Sequence, residues 1–423
     1  MNEVARTGLF VAGAAALIAT ASWVRPESAS SEIYSDAGQA FFPSFRSVDA
    51  VKAIEVVDYD EAEAVARPLK VEFRKGRWLL TSHSDYPAEA RDRLARTAAS
   101  LLDLKKDAPV TDRVEDYAKY GVIDPLDAKN ASLQGRGKRV TLRDAGGALL
   151  AELVLGLPVK EKAGYRYVRL PGQKRVYSVK TDADPSAQFA DWVEANLLRV
   201  GAADIAKMTL NSYQIDEQFG RVMNLQRAIY ERGQPSWNPQ AQSVAATLAS
   251  LRVMGARPKP KELAEQLRTG QLALTLETVM SLRQRGFFIA PTGMLLSNEG
   301  ELIAETSKGL VYTVRFGELA TDTATASAKP RENRYVFITA TSRNPETAEL
   351  AKALTAKFAD WYYIISGADF SRLHPNRGAQ LKEKPPAGLP PGLPPEIQRA
   401  LEERMRQQQQ QQGPAPPPQQ QKQ

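Results

Sequence analysis

The segment Leu69-Lys-Val-Glu-Phe-Arg-Lys-Gly-Arg-Trp-Leu-Leu-Thr81 predicts a β-hairpin. Residues of alternating character flank Lys75-Gly76, and glycine permits the positive φ that a tight hairpin turn requires. Part of this segment has a counterpart in the second half of the chain, Ala228-Ile-Tyr-Glu-Arg-Gly233 followed by Trp237. This similarity is the first indication that one structural unit occurs twice.

Further hairpins and helices are predicted on the C-terminal side of this segment. A helix is expected over Pro87–Leu104, because proline suits a first helical turn and apolar side chains then recur at helical spacing. The stretches Val140–Leu155 and Tyr165–Val179 each predict a hairpin with a glycine-containing turn. A helix that contains Phe189 and Trp192 is expected to end this half.

Four short motifs of the first half recur in the same order in the second half, about 150–170 residues further on. The pairs are Val71-Glu-Phe-Arg-Lys-Gly76 and Ala228-Ile-Tyr-Glu-Arg-Gly233, Ala95-x-Thr-x-Ala-Ser-Leu101 and Ala245-x-Thr-x-Ala-Ser-Leu251, Gly147-x-Leu-x-Ala-Glu152 and Gly300-x-Leu-x-Ala-Glu305, and Phe189-Ala-Asp-Trp192 and Phe358-Ala-Asp-Trp361. Units of this size indicate two similar lobes, because the repeats of a solenoid are only about 20–50 residues long. The predicted fold is therefore α+β, with a duplicated hairpin–helix–sheet unit behind an N-terminal membrane helix and a disordered tail rich in proline and glutamine.

Composition divides the chain into five parts. We expect an N-terminal membrane segment over 1–26, a linker over 27–45, a first α+β lobe over 46–200, a second over 201–380 and a low-complexity tail over 381–423. The tail contains closely spaced prolines followed by a run of glutamines, which favour an extended chain without a packed core.

The one long apolar run of the sequence lies between Leu9 and Val24. Its membrane-facing side chains are expected to be Leu9, Phe10, Val11, Leu17, Ile18, Trp23 and Val24. The run is slightly shorter than the roughly 17–25 residues of a typical spanning helix. It fits either an uncleaved anchor, in which Trp23 lies at the outer interface, or a signal peptide cleaved after Ala19-Thr20-Ala21. The anchor is the preferred interpretation, with a single pass and the body of the chain outside the cytoplasm.

Residue types exclude several kinds of chemistry. The chain has no cysteine and only two histidines, His83 and His374, so thiolate catalysis, disulfides, iron–sulfur clusters and a three-histidine metal site are excluded. The phosphate-loop, Gly-x-Ser-x-Gly and His-Glu-x-x-His motifs are also absent. We therefore expect no catalytic residue, cofactor or bound metal. The net charge of +7 is spread along the chain, and we expect no nucleic-acid partner.

Two apolar stretches are candidates for contact with a protein partner. Phe287 and Phe288 belong to the most apolar short run of the second lobe, which fits either a core strand or an exposed partner-binding edge. In the tail, Ile397, Leu401 and Met405 would form one stripe of a short amphipathic helix. That helix is either a docking peptide or part of a solubilising low-complexity segment.

Several motifs resemble the family called domain of unknown function 4340. They are the Gly76-Arg-Trp-Leu-Leu80 hairpin with Tyr86-Pro87, Tyr120-Gly-Val-Ile-Asp-Pro125, the strands from Val140 through Tyr177, Arg285-Gly-Phe-Phe288, Leu296-Ser-Asn-Glu-Gly300 and Val311-Tyr-Thr-Val-Arg-Phe-Gly317. The resemblance covers roughly residues 45–370. It implies a membrane-tethered protein of the long, two-lobed bacterial type, whose genes often accompany those of an ABC-type or gliding-motility-type transport system. It supplies no catalytic residues.

The expected function is that of a non-catalytic accessory or scaffolding protein of the bacterial inner membrane, with its bulk in the periplasm. Its expected partners are the membrane and the permease and ATPase subunits of an ABC-type, gliding-motility-like transporter; whether it binds a small molecule is unknown. One alternative is an envelope protein that uses its basic excess to bind an anionic wall or membrane polymer. A second is a carboxylate-based hydrolase, which would require two carboxyl groups in one pocket and a raised pKa for at least one.

Overall fold

Nine antiparallel strands form the first sheet of the computed structural model, which describes residues 36–216, 221–233, 237–270, 275–290, 292–320 and 332–375. The strands are β1 (Ala53–Asp60), β2 (Val65–Arg74), β3 (Arg77–Leu80), β4 (Tyr86–Pro87), β5 (Ala108–Thr111), β6 (Lys138–Arg143), β7 (Leu149–Pro158), β8 (Tyr165–Arg169) and β9 (Val176–Lys180). Their order across the sheet is β4-β3-β2-β1-β6-β7-β8-β9-β5. The three hairpins expected in this half are confirmed as β2–β3, β6–β7 and β8–β9.

A second antiparallel sheet, of seven strands, forms the second half. Its strands are β10 (Ile205–Asp216), β11 (Arg221–Glu231), β12 (Gly255–Pro258), β15 (Glu301–Thr306), β16 (Leu310–Leu319), β17 (Arg334–Ser342) and β18 (Trp361–Ile365), in the order β11-β10-β15-β16-β17-β18-β12. The remaining strands, β13 (Phe287–Ile289) and β14 (Leu295–Ser297), pair only with each other.

Seven α-helices occur within the described ranges. They are α1 (Arg91–Leu102), α2 (Tyr117–Tyr120), α3 (Pro239–Ala249), α4 (Lys261–Thr269), α5 (Leu276–Arg283), α6 (Pro345–Ala359) and α7 (Gly367–Leu373). Local sequence explains where two of them begin. The side chains of Asn238 and Asn344 accept hydrogen bonds from backbone amides in the first turns of α3 and α6, and a proline follows each cap. The chain is thus a mixed α+β protein.

The two sheets share one strand order. The order β2-β1-β6-β7-β8-β9-β5 in the first sheet corresponds strand by strand to β11-β10-β15-β16-β17-β18-β12 in the second. A helix also lies at the same point of the chain in both halves, α1 before β5 and α3 before β12. The sheets differ at one edge, where β3 and β4 extend the first sheet beyond β2.

One apolar core connects the two halves. The same cluster of buried side chains includes Leu80 and Leu142 of the first sheet and Leu302 and Val314 of the second. The described residues up to His374 accordingly form one compact unit. The boundary expected near residue 200 falls between the last strand of the first sheet and the first strand of the second.

Two helix predictions are corrected. Helix α1 begins at Arg91, four residues later than expected, because Tyr86 and Pro87 pair with Leu80 and Leu79 as strand β4. The apolar face predicted for this helix is nevertheless buried at Leu94, Ala98 and Leu101. The helix expected around Phe189 and Trp192 is only a 3-10 turn over Phe189–Asp191.

The structure also shows which of the four repeated motifs occupy equivalent positions. Val71–Gly76 covers the end of β2, and Ala228–Gly233 covers the end of its counterpart β11. The Ala-x-Thr motif of the first half lies within α1, and that of the second half lies in α3 and the two residues after it. The other two pairs are not equivalent. Gly147 precedes β7 but Gly300 precedes β15, the counterpart of β6, and Phe189 follows β9 whereas Phe358 precedes β18. The common topology therefore rests on strand order and on two of the four motifs.

Candidate partner-binding surface

Strand β11 forms the outer edge of the second sheet. It pairs with β10 from Arg221 to Glu231, and no described strand pairs with its other side. The partner strand β10 pairs with β15 only as far as Asn211. Beyond that residue, β10 and β11 continue as a two-stranded ribbon, which we call the β10–β11 arm. An edge strand of this kind presents unpaired backbone N–H and C=O groups to its surroundings.

Apolar side chains are exposed along this edge. The exposed fractions are 38% for Val222, 43% for Met223, 50% for Leu225 and 53% for Ile229. Soluble proteins commonly protect an exposed edge with charges, proline or a covering segment, since a long apolar edge pairs readily with another chain. Backbone groups for pairing and apolar side chains for specificity are the two features that strand addition by a partner uses.

A row of polar contacts fixes the arm to the sheet. The Arg227 guanidinium donates to Oδ1 of Asn211 over 3.0 Å, and the Asn211 amide donates to Oε1 of Glu301 over 3.0 Å. Glu301 Oε2 in turn lies 3.2 Å from Nε of Arg315 on β16. Four strands, β11, β10, β15 and β16, are thereby joined by one line of hydrogen bonds and ion pairs, which holds the exposed edge in a defined position.

The equivalent edge in the first sheet is covered. Strand β3 pairs antiparallel with β2, from the pair Arg74–Arg77 beside the turn to the pair Val71–Leu80. Lys75 and Gly76, with φ values of 51° and 79°, make the tight turn that brings β3 back along β2. The chain therefore covers one of its two topologically equivalent edges with its own hairpin and, in the described residues, leaves the other exposed.

The structure places Phe287 and Phe288 in the core, which corrects the partner contact expected of them. Both lie in β13, with exposed fractions of 0% and 6%. The Phe287 ring packs against Phe337 and Tyr362, with centroids 5.5 and 6.0 Å away. Of the two interpretations of this run, the core strand is the one that the structure supports, because neither side chain is available to a partner.

The other residues expected to contact the membrane or a partner lie outside the described residues. These are Leu9, Phe10, Val11, Leu17, Ile18, Trp23 and Val24 of the apolar N-terminal segment and Ile397, Leu401 and Met405 of the tail. Within the described ranges, no helix has the length and apolar character needed to cross a bilayer.

The shifted carboxyl pKa values among the described residues go in the opposite direction from the raised pKa that the hydrolase alternative expects. Every carboxyl group in the described residues whose pKa departs from its usual value is shifted downward, as at Asp36, Glu72 and Glu194. At these three, burial would raise the pKa, but hydrogen bonds and charges of neighbouring groups outweigh it. No set of three or more His, Asp or Glu side chains in the same ranges is arranged to hold a metal ion.

Each of the two histidines contacts a serine hydroxyl. Nε2 of the buried His374 lies 3.2 Å from Oγ of Ser212 on β10, and its ring packs between Phe316 and Phe370. Nδ1 of His83 lies 2.8 Å from Oγ of Ser82. Burial, together with the positive charge of Arg257, lowers the pKa of His83. Residues 83–85 do not cap helix α1, which begins after Ala90 without a side-chain cap hydrogen bond.

Sequence reasoning did not identify the β10–β11 arm. The run from Arg221 to Glu231 does alternate apolar and polar residues over part of its length, which predicts a strand. An alternating pattern does not reveal whether a strand lies at an edge, since that depends on which other strands pair with it. The exposed edge could be recognised only from the strand order.

Comparison with known families agrees with the motif resemblance. Residues 78–268 match the family described as "Domain of unknown function (DUF4340)". The matched region begins in β3 and ends in α4, so it includes parts of both sheets. The match covers less than half of the chain and shows that this stretch is similar to the DUF4340 family. Searches of curated proteins and of solved structures returned no match.

Proposed function

We propose that this protein is a non-catalytic accessory subunit that binds another protein along the outer edge of β11. The exposed apolar edge, with Leu225 and Ile229 each about half exposed, is the observation that carries the proposal. Beside β2, the equivalent strand of the first sheet, the corresponding position is occupied by β3. An antiparallel strand of the partner would take that position beside β11, with main-chain hydrogen bonds for affinity and side-chain packing for specificity.

The proposal retains the location and the kind of partner expected from the sequence. The apolar segment over residues 9–24 would anchor the chain in the bacterial inner membrane by a single pass, with the folded body in the periplasm. Similarity to the DUF4340 family over residues 78–268 is what suggests an ABC-type, gliding-motility-like transport system as the partner complex, as the motif resemblance implies. ATP hydrolysis would belong to a separate subunit, since the sequence has no phosphate-binding loop.

We also infer that the two halves descend from one duplicated unit. Seven strands in the same order, with a helix at the same point of each half, support a common origin better than short motifs alone. On this view, the β3–β4 extension is an addition to the first lobe. The second lobe retains a free edge that serves as the binding surface.

The test is affinity purification of the tagged full-length protein from native membranes in mild detergent, followed by mass spectrometry. We expect a permease and its ATPase to co-purify at moderate salt. The double variant Leu225→Lys/Ile229→Lys should lose them, because lysines on an edge oppose strand pairing. Leu126→Lys/Leu133→Lys is the matched control, since these two leucines have similar exposed fractions of 50% and 49% but lie outside the arm.

Three results would contradict the proposal. Equal loss of the partner in both double variants would show that added charge, rather than the edge, is responsible. A dimer of this chain that the Leu225→Lys/Ile229→Lys variant abolishes would show that β11 pairs with a second copy of itself. Recovery of a wall or membrane polymer that is released by salt, without transporter subunits, would favour the envelope-binding alternative.

A further inference from the structure

One cation on the exposed strand β11 lacks a counter-charge. The Arg227 guanidinium donates to Oδ1 of Asn211, a neutral partner, and makes no ion pair with any described residue. Glu301, the next residue across the sheet in the same row, is engaged by the Asn211 amide and by Arg315. Arg227 is exposed, and no described strand covers the outer side of β11. Its charge is therefore available to a group that approaches the edge from outside the sheet.

The repeated motif identifies the counterpart of Arg227 in the first sheet. Val71 of β2 and Ala228 of β11 begin the two copies of the motif. Each of them pairs with the neighbouring strand of its sheet, β1 or β10, in an unbroken part of the register. Lys70, the residue before Val71, is therefore the counterpart of Arg227, the residue before Ala228.

The first lobe supplies Lys70 with carboxylates of its own. Glu72 lies two residues further along β2, hence on the same face, and forms an ion pair with Lys70 over 2.5 Å. Glu55 lies opposite Lys70 in the pairing of β1 with β2. The equivalent positions around the second-lobe cation hold the neutral residues Ile229 and Asn211. The edge cation is thus neutralised within the covered lobe but not within the uncovered one.

We propose that the partner segment paired with β11 carries an acidic side chain that binds Arg227, and an apolar side chain two residues away that packs on Ile229. This inference rests on the proposed function and specifies its partner. Arg227 and Ile229 pair with Asn211 and Thr209 in the unbroken register, so their side chains lie on one face. A strand added at the edge places its own alternate side chains beside them, where opposite charges stabilise the pairing.

Peptide binding to the full-length protein in nonionic detergent micelles tests the inference, with fluorescence anisotropy as the readout. Three labelled peptides as long as β11 have valine and threonine in alternation, and their central valine is replaced by glutamate, glutamine or lysine. We expect the glutamate peptide to bind the wild type about tenfold more tightly than the lysine peptide, because opposite charges in neighbouring strands attract and like charges repel. The affinity of the glutamine peptide should lie between these two.

Variants of the cation show whether Arg227 causes this preference. Arg227→Gln should abolish it, because glutamine has no charge but keeps an amide donor for Asn211. Arg227→Lys retains the charge and should retain the preference for glutamate. The matched control Arg91→Gln removes an exposed arginine of α1, outside the second sheet, and should bind the peptides as the wild type does. Hydrogen exchange at the β11 amides verifies that the β10–β11 arm is formed in each variant.

The outcomes separate this inference from the proposed function. If the wild type binds all three peptides equally and Leu225→Lys/Ile229→Lys binds none, the edge accepts a strand but Arg227 does not select it, which overturns the inference alone. An equal change of preference in Arg227→Gln and Arg91→Gln would also overturn it, because the effect would then reflect net charge. Binding of no peptide to the wild type would contradict strand addition itself, and with it both proposals.

Discussion

Lys357 of helix α6 donates a hydrogen bond to Oε2 of Glu194, and this contact joins the two halves of the molecule. Glu194 lies in the segment between the two sheets, and its other carboxylate oxygen accepts a hydrogen bond from Arg199. Burial would raise the pKa of Glu194, but the hydrogen bonds from Arg199 and Lys357 outweigh it and hold the pKa below its usual value. The carboxylate is therefore expected to stabilise the junction in its ionised form.

Glu194→Gln should lower the free energy of unfolding by about 1–2 kcal/mol at neutral pH, because it removes the charge from two hydrogen bonds. The folded-state pKa lies below the unfolded value near 4.5, so this stabilisation is present above that pH and is lost as pH falls through the folded pKa. Urea unfolding of both proteins between pH 3 and 8 measures the difference. Glu265→Gln, at a largely exposed ion pair with Arg268, should change stability by less than about 0.5 kcal/mol. An equal effect of the two variants would contradict a special role of Glu194.

Gly300→Ala should destabilise the protein far more than Gly147→Ala. Both glycines have positive φ, 77° and 84°, so alanine at either costs about 1 kcal/mol for the backbone conformation. At Gly300 the added Cβ would also lie 2.3 Å from the carbonyl oxygen of Asn211 on β10, whereas at Gly147 it would meet nothing within 4 Å. Overpacking adds about 1–3 kcal/mol, so we expect about 3 kcal/mol at Gly300. Similar melting temperatures for both variants would show that the second sheet adjusts freely.

Lys259 should make stability rise with pH. It is buried, and its Nζ donates to the carbonyls of Phe358 and Trp361 over 2.8 Å each. Burial lowers its pKa well below the usual 10.5. Between the two pKa values the unfolded state binds the additional proton, so unfolding becomes harder as pH increases. The free energy of unfolding of the wild type should therefore increase relative to that of Lys259→Met between pH 7 and 9.5. The free energy of unfolding of Lys308→Met, at an exposed lysine, should depend on pH in parallel with that of the wild type. If the curve for Lys259→Met is also parallel to the wild type, Lys259 keeps its usual pKa.

Asn211→Ala should loosen the β10–β11 arm. The Asn211 side chain accepts from Arg227 and donates to Glu301, so the variant breaks the line of polar contacts at its centre. A loss of about 1–2 kcal/mol is expected, because each of the two lost hydrogen bonds involves a charged group. Faster hydrogen exchange at the β11 amides, with core strands unchanged, is the measurement. Thr209→Ala is the control: Thr209 lies two residues before Asn211 on β10, opposite Ile229, and its side chain makes no hydrogen bond to β11 in the described residues. Equal exchange in both variants would show that the contacts do not hold the arm.

Short-range chemistry made the hairpins of the first sheet predictable. A turn such as Lys75-Gly76 depends on a few adjacent residues, because positive φ is tolerated there mainly by glycine. The residue at which a helix begins depends less on the adjacent sequence than a hairpin turn does. Pro87 is compatible with a first helical turn, yet it pairs with Leu79 in β4, since the strand edge of the folded sheet was available to it. Phe189 also depends on distant contacts: it lies in a 3-10 turn, where its ring packs against Tyr86.

The sequence by itself determined the α+β class, the hairpins of the first lobe, the buried face of α1 and the resemblance to the DUF4340 family. These features depend on residue spacing within one strand, turn or helix. Only the tertiary structure decided that Phe287 is buried and that Ile229 is exposed. The physical reason is that burial and proximity depend on which distant strands pair, and periodicity within a strand does not specify its neighbours.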